Sequence, residues 1–330
     1  MRRVPSTMGG RTLLQEKAVK PATRAQYQRA LQKFAEFCQA KGVETTTSRM
    51  LDEALCDYLD DLYLQGLDSG AGSIIHAALC LERPEVGRNG VQSLPGSSLA
   101  LKGFRLTAPG GSRLPLPFLI VAGMSMALLA GRNASMALRL LVTFALYLRP
   151  SEADSILVKD LVRPSGIKRF GFKSFAIVLH PFERGEPSKV KSYDDTLLLD
   201  GHLGWLGPQL AKHAAGARAT RKMFEESRAE FGKQYVRAAK AVGLEATPHE
   251  YQLRHGGAAH DLLHALRERG GVKARGRWVT DASLVRYGKQ GKVQAMLASL
   301  PPQGLAYCER AARLLQRTVQ SCTVPEAPPF

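Results

Sequence analysis

The sequence has few of the features that mark secreted or disulfide-stabilised proteins. Its 330 residues include five cysteines, an odd number, and no two of them form a C-x-x-C pair. This usage argues against a disulfide framework and against a zinc site, and it fits a reducing compartment. The N-terminal segment has no apolar run of the kind found in secretory signals. We therefore expect an intracellular protein.

Long apolar runs are also scarce. One uncharged window, residues 114–131, is barely long enough to span a membrane. It begins with Leu-Pro-Leu-Pro and lies between Arg113 and Arg132. We interpret the window as a buried core helix and predict no membrane association.

Acidic side chains are outnumbered, with 29 Asp and Glu against 46 Lys and Arg, which gives a formal charge of +17. Residues 1–110 hold 14 basic and 11 acidic side chains, so residues 111–330 hold 32 and 18. Such an excess repels itself unless a polyanion is bound, and nucleic acid is the first candidate. The charge distribution predicts that the second half of the chain contacts this partner most.

The chain is long enough for two domains, and its 45% hydrophobic content is that of a globular protein. A Gly-, Pro- and Ser-rich stretch at residues 82–117 reads as loop and linker. We predict a basic flexible arm over residues 1–20, a helical domain over 21–112, a second domain over 113–322 and a disordered tail over 323–330.

Apolar spacing of three and four residues predicts helices in both domains. In the first domain they cover Pro21–Lys41, Met50–Gln65, Gly70–Leu81 and Ser97–Leu106. In the second they cover Phe118–Ala130, Ala134–Tyr147, Gln209–Ala219, Arg221–Val242, Gly256–Arg269, Ser283–Tyr287 and Gly304–Gln320. Two β-like runs, Ser174–His180 and Thr196–Leu199, flank a basic turn. The predicted fold class is mainly α with one small β-sheet (α+β).

Four short segments of the second half carry side chains suited to phosphate chemistry. They are Leu148-Arg149-Pro150-Ser151-Glu152, Ser188-Lys189-Val190-Lys191, Tyr251-Gln-Leu-Arg254-His255-Gly256-Gly257, and Gly276-Arg277-Trp278 with Tyr287 nine positions after the tryptophan. Singly, each has an ordinary interpretation: a helix cap, a solvated loop, a packed core tryptophan. The Gly-Gly pair allows either close packing or close approach of a phosphate to helix N–H groups.

Together and in this order, the segments resemble the boxes of the tyrosine recombinase, or phage-integrase-like, family. Arg149 with Glu152 matches the first arginine box, and Lys189 matches the hairpin lysine. Arg254-His255 matches the H-x-x-R-H box, and Tyr287 follows at the family's spacing. The resemblance covers essentially the whole chain, and its wording is closest to the DIRS-like and Crypton-like transposon branches.

The resemblance implies a helical, SAM-like core-binding domain and a catalytic domain that close as a C-shaped clamp on double-stranded DNA. It implies site-specific recombination or integration of a mobile element by strand cleavage and rejoining, without metal or other cofactor. Synapsis of two duplexes implies a homotetramer, with the helix Gly304–Gln320 as a candidate for docking into a neighbour. The expected location is the nucleus of a eukaryote or the cytoplasm of a bacterium.

The chemistry explains the residue types. Two guanidiniums, those of Arg149 and Arg254, would bind the non-bridging oxygens of the scissile phosphate with a bidentate geometry that lysine cannot reproduce. Tyr287 would attack the phosphorus and form a 3′-phosphotyrosine, and Lys189 would protonate the departing 5′-oxygen. The indole N–H of Trp278 would position the phosphate. These side chains should therefore converge in the fold.

Several assignments stay open. Tyr251 replaces the first histidine of the H-x-x-R box, so either this tyrosine fills the position, or His249 reaches it, or neither acts. Lys191 is an alternative to the hairpin lysine. His255 is a supporting residue or a packed structural histidine. The family's box-one glycine is Tyr147 here.

Basic side chains outside the clamp are expected to contact DNA, namely Arg24, Lys102, Arg105, Arg277 and Arg286. Three other functions remain: a catalytically decayed, transposon-derived DNA-binding protein, a type IB topoisomerase, and a basic helical RNA-binding protein. No stacking-aromatic motif of an RNA module is present, which disfavours the last.

Overall fold

The computed structural model describes residues 12–87, 89–108, 114–166, 171–188, 192–246, 248–285, 287–288 and 290–330. The chain divides into two compact units, unit 1 over residues 1–112 and unit 2 over residues 113–330. The arm residues 1–11 and the predicted domain boundary at 110–113 lie outside the described residues.

Unit 1 is helical throughout its described part. Its α-helices are α1 (Leu13–Lys17), α2 (Pro21–Lys41), α3 (Ser48–Leu64), α4 (Ser69–Glu82) and α5 (Pro95–Thr107). Helix α3 begins where the Thr47 hydroxyl accepts a hydrogen bond from the Met50 N–H at 3.2 Å. Its apolar residues recur every three to four positions and are buried, at Leu51, Leu55 and Leu59.

The helices of unit 1 pack around that face of α3. Phe34 of α2 and Phe104 of α5 are buried in the same cluster. The ring of Phe34 lies 5.3 Å from the ring of Tyr58, centroid to centroid. The four helices α2 to α5 agree with the predicted ones to within about two residues at each end, since their amphipathic pattern is regular.

Unit 2 adds a small sheet to a helical body. Its helices are α6 (Phe118–Ala130), α7 (Ala134–Ala145), α8 (Pro150–Ser155), α9 (Leu206–His213), α10 (Arg228–Ala241), α11 (Tyr251–Leu263), α12 (Arg269–Gly276), α13 (Ala282–Val285), α14 (Gln290–Ala298) and α15 (Pro302–Ser321). Its strands are β1 (Leu161–Val162), β2 (Phe175–Leu179) and β3 (Asp195–Leu199). The fold is mainly α with one small antiparallel sheet, as predicted.

The sheet has the order β1-β2-β3, and both pairings are antiparallel. Ile177, at the centre of β2, is opposite Leu161 on one side and Leu197 on the other. Ile177 is fully buried, so this register places one face of the sheet against the body of the unit. The connection from β2 to β3 contains the predicted hairpin lysines, at positions that lie outside the described residues.

Helices α6 and α7 form the centre of unit 2. The uncharged window of the sequence is α6, and Ile120, Val121 and Met124 are fully buried. Within the part of the chain that the structure describes, no helix is long and apolar enough to cross a membrane.

Helix α15 is the candidate for docking into a neighbour, and its apolar face packs in its own chain. Tyr307, Cys308 and Leu315 are buried in the core that also contains α6. The tail that follows was expected to be disordered. It forms no regular secondary structure, yet the Glu326 carbonyl accepts a hydrogen bond from the Tyr307 hydroxyl at 3.4 Å.

Three further details of unit 2 differ from the sequence prediction. Helix α11 begins at Tyr251 rather than at Gly256, which places the Arg254-His255 pair inside the helix. Helix α7 ends at Ala145 because Tyr147 adopts a left-handed backbone conformation with φ of +48°. The short helices α8, α12 and α14 were not predicted, since none carries a long amphipathic repeat.

Candidate functional site

The first arginine box forms a tight turn between α7 and α8. Arg149 is the N-cap residue of α8, and its backbone N–H donates to Glu152 at 2.7 Å. The Arg149 guanidinium also pairs with the Glu152 carboxylate. This carboxylate is 2% exposed, whereas the Arg149 side chain remains 12% exposed. The box therefore holds one arginine at the edge of the surface, anchored on a buried acid.

The second box lies on α11, and its arginine is inside the protein. Arg254 is 1% exposed, and its two terminal nitrogens donate to the carbonyls of Tyr147 and Gly276. Its Nε has no hydrogen-bond partner among the described residues. A Cβ on Gly256 would lie 2.2 Å from the Leu116 carbonyl, and one on Gly257 would lie 2.0 Å from the Phe144 carbonyl. Because both glycines lie within the helix, their function is close packing and not phosphate binding at an N-terminus.

The C-terminal box places an indole and a phenol beside Arg254. The Cζ atom of Arg254 lies 4.9 Å from the centroid of the Trp278 ring. The rings of Trp278 and Tyr287 are 4.7 Å apart. Tyr287 is 3% exposed, so its ring is enclosed in the structure.

A row of aromatic rings continues from Tyr287 towards the start of α11. The rings of Tyr287 and His255 are 5.1 Å apart and meet edge to face. The rings of His255 and Tyr251 repeat this geometry, also at 5.1 Å. Thus Tyr251, the residue in place of the family's histidine, lies in the same cluster as Tyr287.

His249 makes hydrogen bonds at the start of α11. Its Nδ1 accepts a hydrogen bond from the Tyr251 backbone N–H at 3.0 Å, and its own N–H donates to the Gln252 side chain at 2.6 Å. These bonds begin α11. The geometry favours Tyr251 over His249 as the side chain that faces the cluster.

Arg277 is part of the site and does not lie on the outer surface. It was expected to contact DNA, but its side chain is 6% exposed and donates to the Glu152 carboxylate at 2.6 Å. Its backbone is left-handed, with φ of +54°, at the end of α12. One buried carboxylate therefore binds two arginines, Arg149 and Arg277.

The electrostatics of this cluster favour an anion. Burial, and next the nearby charges of Arg277 and Arg149, lower the pKa of Arg254 to about 10. Burial also lowers the pKa of Arg277. Glu152 pairs with two of the three guanidiniums, and Asp195 lies 3.9 Å from that of Arg277. Three cations therefore face two carboxylates, and a phosphate entering this cluster would meet uncompensated positive charge.

The remaining predicted residues belong to unit 1 or lie outside the described residues. Arg24, Lys102 and Arg105 belong to unit 1, where Arg24 donates to the Glu16 carbonyl and Arg105 donates to Ser73 at 3.1 Å. Three more positions, Lys189, Lys191 and Arg286, lie outside the described residues.

The sequence prediction did not include a second ionic network behind the cluster. Asp200 accepts hydrogen bonds from Arg267 at 2.6 Å and from Arg275 at 3.2 Å. Arg267 also donates to Asp261 at 3.2 Å. Asp200 lies more than 60 positions before its partners, and no sequence spacing indicates such a contact.

Comparison with solved structures gives the class of fold. The chain is similar to the XerH site-specific recombinase bound to palindromic difH substrate in a post-cleavage complex, with a TM-score of 0.54 and 16% identity over 82% of this chain and 78% of that chain. A pre-cleavage complex of XerH with difH gives 0.51 and 18% identity, over 83% and 78%. The XerA recombinase gives 0.39 and 12%, over 86% and 94%.

The fold of this chain is therefore that of the tyrosine recombinases. No protein-family model matches the sequence, and no curated protein matches it.

Proposed function

We propose that this protein performs site-specific DNA recombination by cutting and rejoining strands through a phosphotyrosine formed at Tyr287. One observation carries the proposal. Segments up to 138 positions apart bring three guanidiniums, an indole and a phenol to one buried cluster, from Arg149 to Tyr287. The similarity of the fold to substrate complexes of a site-specific recombinase supports the same class of reaction.

The arginines suit the binding of a phosphodiester. Each terminal nitrogen of a guanidinium carries two hydrogens, so Arg254 has one N–H left on each after bonding to the Tyr147 and Gly276 carbonyls. Arg149 offers its charge from the edge of the surface. Together they would stabilise the negative charge that develops on the non-bridging oxygens at a five-coordinate phosphorus.

The bond exchange is balanced without a cofactor. The Tyr287 oxygen forms a bond to phosphorus while the bond from phosphorus to the 5′-oxygen breaks. The proton that the phenol loses leaves to solvent or a nearby base, and Lys189 or Lys191 supplies a proton to the 5′-oxygen. The phosphotyrosine conserves the energy of the phosphodiester, so a second 5′-hydroxyl reverses the step and seals the strand.

Access to the site requires a change of conformation. Arg254 is 1% exposed and Tyr287 is 3% exposed, so a phosphate cannot reach both as they stand. We infer that the Tyr287 ring moves away from Trp278 and His255 when DNA binds. Such opening before chemistry is common where a site must exclude water.

A trapped covalent adduct tests the proposal. The protein is incubated with a pool of nicked duplexes of randomised sequence, so that a cleaved strand loses its short end, and adducts are separated on a denaturing gel. The wild-type chain should form an adduct whose DNA-linked peptide contains Tyr287. Tyr287→Phe removes one oxygen and should abolish the adduct, whereas Tyr251→Phe should only slow it.

Tyr307→Phe is the matched control, because Tyr307 is also buried but belongs to the core of α15. It should form the adduct at the wild-type rate. An adduct that persists in Tyr287→Phe and vanishes in Tyr307→Phe would show that the C-terminal box is misaligned.

The two hairpin lysines are separated by the same assay. Lys189→Ala should slow cleavage severely and leave DNA affinity nearly intact, because the lysine would act on the leaving group and not on the bound phosphate. If Lys191→Ala has this effect instead, the general acid is two positions further along the chain.

DNA binding itself is expected to involve both units, with Arg24, Lys102 and Arg105 among the contacts of unit 1. If six to ten phosphates are contacted, the affinity for DNA should fall by roughly 10³–10⁵ as the salt concentration rises from 50 to 200 mM. Steep salt dependence without any adduct would favour a decayed DNA-binding protein. Relaxation of supercoiled plasmid without strand exchange would favour a type IB topoisomerase. Recombination differs because the exchange of strands between two duplexes needs four copies of the chain.

A further inference from the structure

Tyr147 adopts a backbone conformation that suits glycine. Its φ is +48°, in the left-handed region, where a side chain brings Cβ close to the following carbonyl. A large residue is stable in such a conformation only where its surroundings hold it there.

Three contacts hold the Tyr147 side chain. Its hydroxyl donates to the Asp261 carboxylate at 2.5 Å. Its ring lies against Trp278, with centroids 6.2 Å apart and an angle of 23° between the planes. The Cζ atom of Arg275 lies 5.6 Å from the centroid of the Tyr147 ring. Tyr147 is 1% exposed, so all of these contacts are made away from water.

Asp261 is itself fixed. It is 7% exposed, and it also accepts a hydrogen bond from the Arg267 Nε at 3.2 Å. Arg267 pairs in turn with Asp200, which binds Arg275. Burial and then the charge of Asp261 raise the pKa of Tyr147, so the hydroxyl remains a hydrogen-bond donor at neutral pH.

The other end of Tyr147 faces the candidate site. Its carbonyl accepts the hydrogen bond from Nη1 of Arg254, and its ring covers Trp278. A rotation of the Tyr147 peptide would therefore move the acceptor that orients Arg254. A shift of the ring would change the packing of Trp278, which lies 4.9 Å from the same guanidinium.

We propose that Tyr147 and Asp261 are positioning residues: the bond between them fixes the left-handed turn that aims Arg254 and Trp278 at the scissile phosphate. The proposal rests on the proposed function for the reaction that these side chains serve. A buried hydrogen bond between the two residues thus holds a turn that glycine would adopt without strain.

The test compares two buried tyrosines. Tyr147→Phe removes the hydroxyl that binds Asp261 and keeps the ring. Tyr235→Phe is the matched control, because Tyr235 is also 1% exposed but its hydroxyl has no hydrogen-bond partner among the described residues. Adduct formation is measured at saturating nicked duplex, and DNA affinity and thermal melting are measured separately. Tyr147→Phe should slow the adduct step roughly 10- to 100-fold without weakening DNA binding, as expected for a misplaced reacting group.

A spectroscopic readout separates positioning from general stability. The sequence has two tryptophans, so Trp205→Phe leaves Trp278 as the single indole fluorophore. In that background Tyr147→Phe should shift the emission of Trp278, and Tyr235→Phe should not. Asp261→Asn, which keeps an oxygen to accept from Tyr147, should give a smaller change in both rate and emission than Tyr147→Phe.

The outcomes are distinct. If the wild-type chain forms no adduct, the proposed function fails, and the emission of Trp278 still decides whether Tyr147 positions it. If the wild-type chain forms the adduct and Tyr147→Phe matches Tyr235→Phe in rate and emission, the positioning role is overturned. If Tyr147→Phe does not fold, Asp261→Ala, which removes the acceptor of the Tyr147 hydroxyl, replaces it, and a wild-type rate and emission in that variant would overturn the role equally.

Discussion

The two units bury different kinds of side chain. Among the described residues of unit 1, the buried polar side chains are Ser69 and Ser97. Unit 2 buries both positive and negative charges, which are Arg139, Arg254, Arg275, Glu152, Asp160 and Asp261. Unit 1 is thus a helical bundle with an apolar core, whereas unit 2 has ions within its core.

Burying a charge costs free energy unless it is paired, and a buried pair is weak support for stability. A fold that keeps several buried charges close together therefore indicates a site with a function. Burial of a charge alone does not identify a functional site. Arg139 is buried, pairs with Asp154 and covers the Phe231 ring, but it takes no part in the cluster. The cluster around Glu152 differs in that its three guanidiniums outnumber the carboxylates of Glu152 and Asp195.

The largest expected loss of stability comes from a substitution of Glu152. Glu152→Gln keeps the shape of the side chain but removes the charge that Arg149 and Arg277 share, and it leaves Arg277 with the more distant carboxylate of Asp195 at 3.9 Å. Removing one partner of a buried ion pair costs about 3–5 kcal/mol of stability. Urea unfolding of the full chain at neutral pH measures this loss. A change below about 1 kcal/mol would mean that water reaches Glu152 and that the cluster is not desolvated.

In unit 1 a comparable loss of stability should come from the removal of a buried apolar side chain. Leu55 of α3 is fully buried, and Leu55→Ala leaves a cavity in the core of this unit. The expected cost is about 2–5 kcal/mol, depending on how far the neighbours relax. Hydrogen exchange measured peptide by peptide should show the lost protection first in α2 to α5. Loss confined to unit 2 would contradict the assignment of Leu55 to the core of unit 1.

The same contrast explains what the sequence predicted and what it did not. Helices α2 to α5 follow from regular apolar spacing, which depends on neighbours three and four positions apart, and α6 follows from its uninterrupted apolar composition. The start of α11 was misplaced because Gly256 and Gly257 were taken as a helix entry. Their close contacts, with the carbonyls of Leu116 and Phe144, come from segments more than 100 positions away.

The candidate site shows a similar division. Motif order was enough to select Arg149, Arg254, Trp278 and Tyr287, and the structure brings them together. The residues that support them could not be predicted. The hydrogen bond from Tyr147 to Asp261, for example, joins residues 114 positions apart. Charged pairs formed over such separations leave no periodic signal in a single sequence.

A smaller loss of stability is expected when the pH is lowered. His260 stacks on Phe118, with ring centroids 5.0 Å apart, and burial lowers its pKa to about 4, helped by the charges of His202 and His264. Because the unfolded chain binds a proton near pH 6.5 and the folded chain does not until about pH 4, stability should fall as the pH drops through this window. The loss attributable to His260 should be about 2 kcal/mol after allowance for partial solvent screening.

The measurement is urea unfolding at several pH values between 7.5 and 4, for the wild-type chain and for His260→Phe. The variant cannot titrate at this position, so its stability should fall less steeply with acid. The difference between the two proteins at pH 7.5 serves as the internal reference. Parallel curves would show that His260 is protonated normally in the folded chain.

The smallest effect is expected at an exposed ion pair of unit 1. Arg49 and Glu53 lie 2.9 Å apart on α3, with side chains 86% and 62% exposed. The arginine precedes the acid by four positions, which is the weaker orientation for a helical pair, and solvent screens the charges. Glu53→Gln should therefore leave the urea midpoint unchanged, although it makes the same chemical change as Glu152→Gln, a carboxylate replaced by an amide. A midpoint shift comparable to that of Glu152→Gln would remove the contrast between the two units, because it would show that the loss of any glutamate charge destabilises this strongly basic chain.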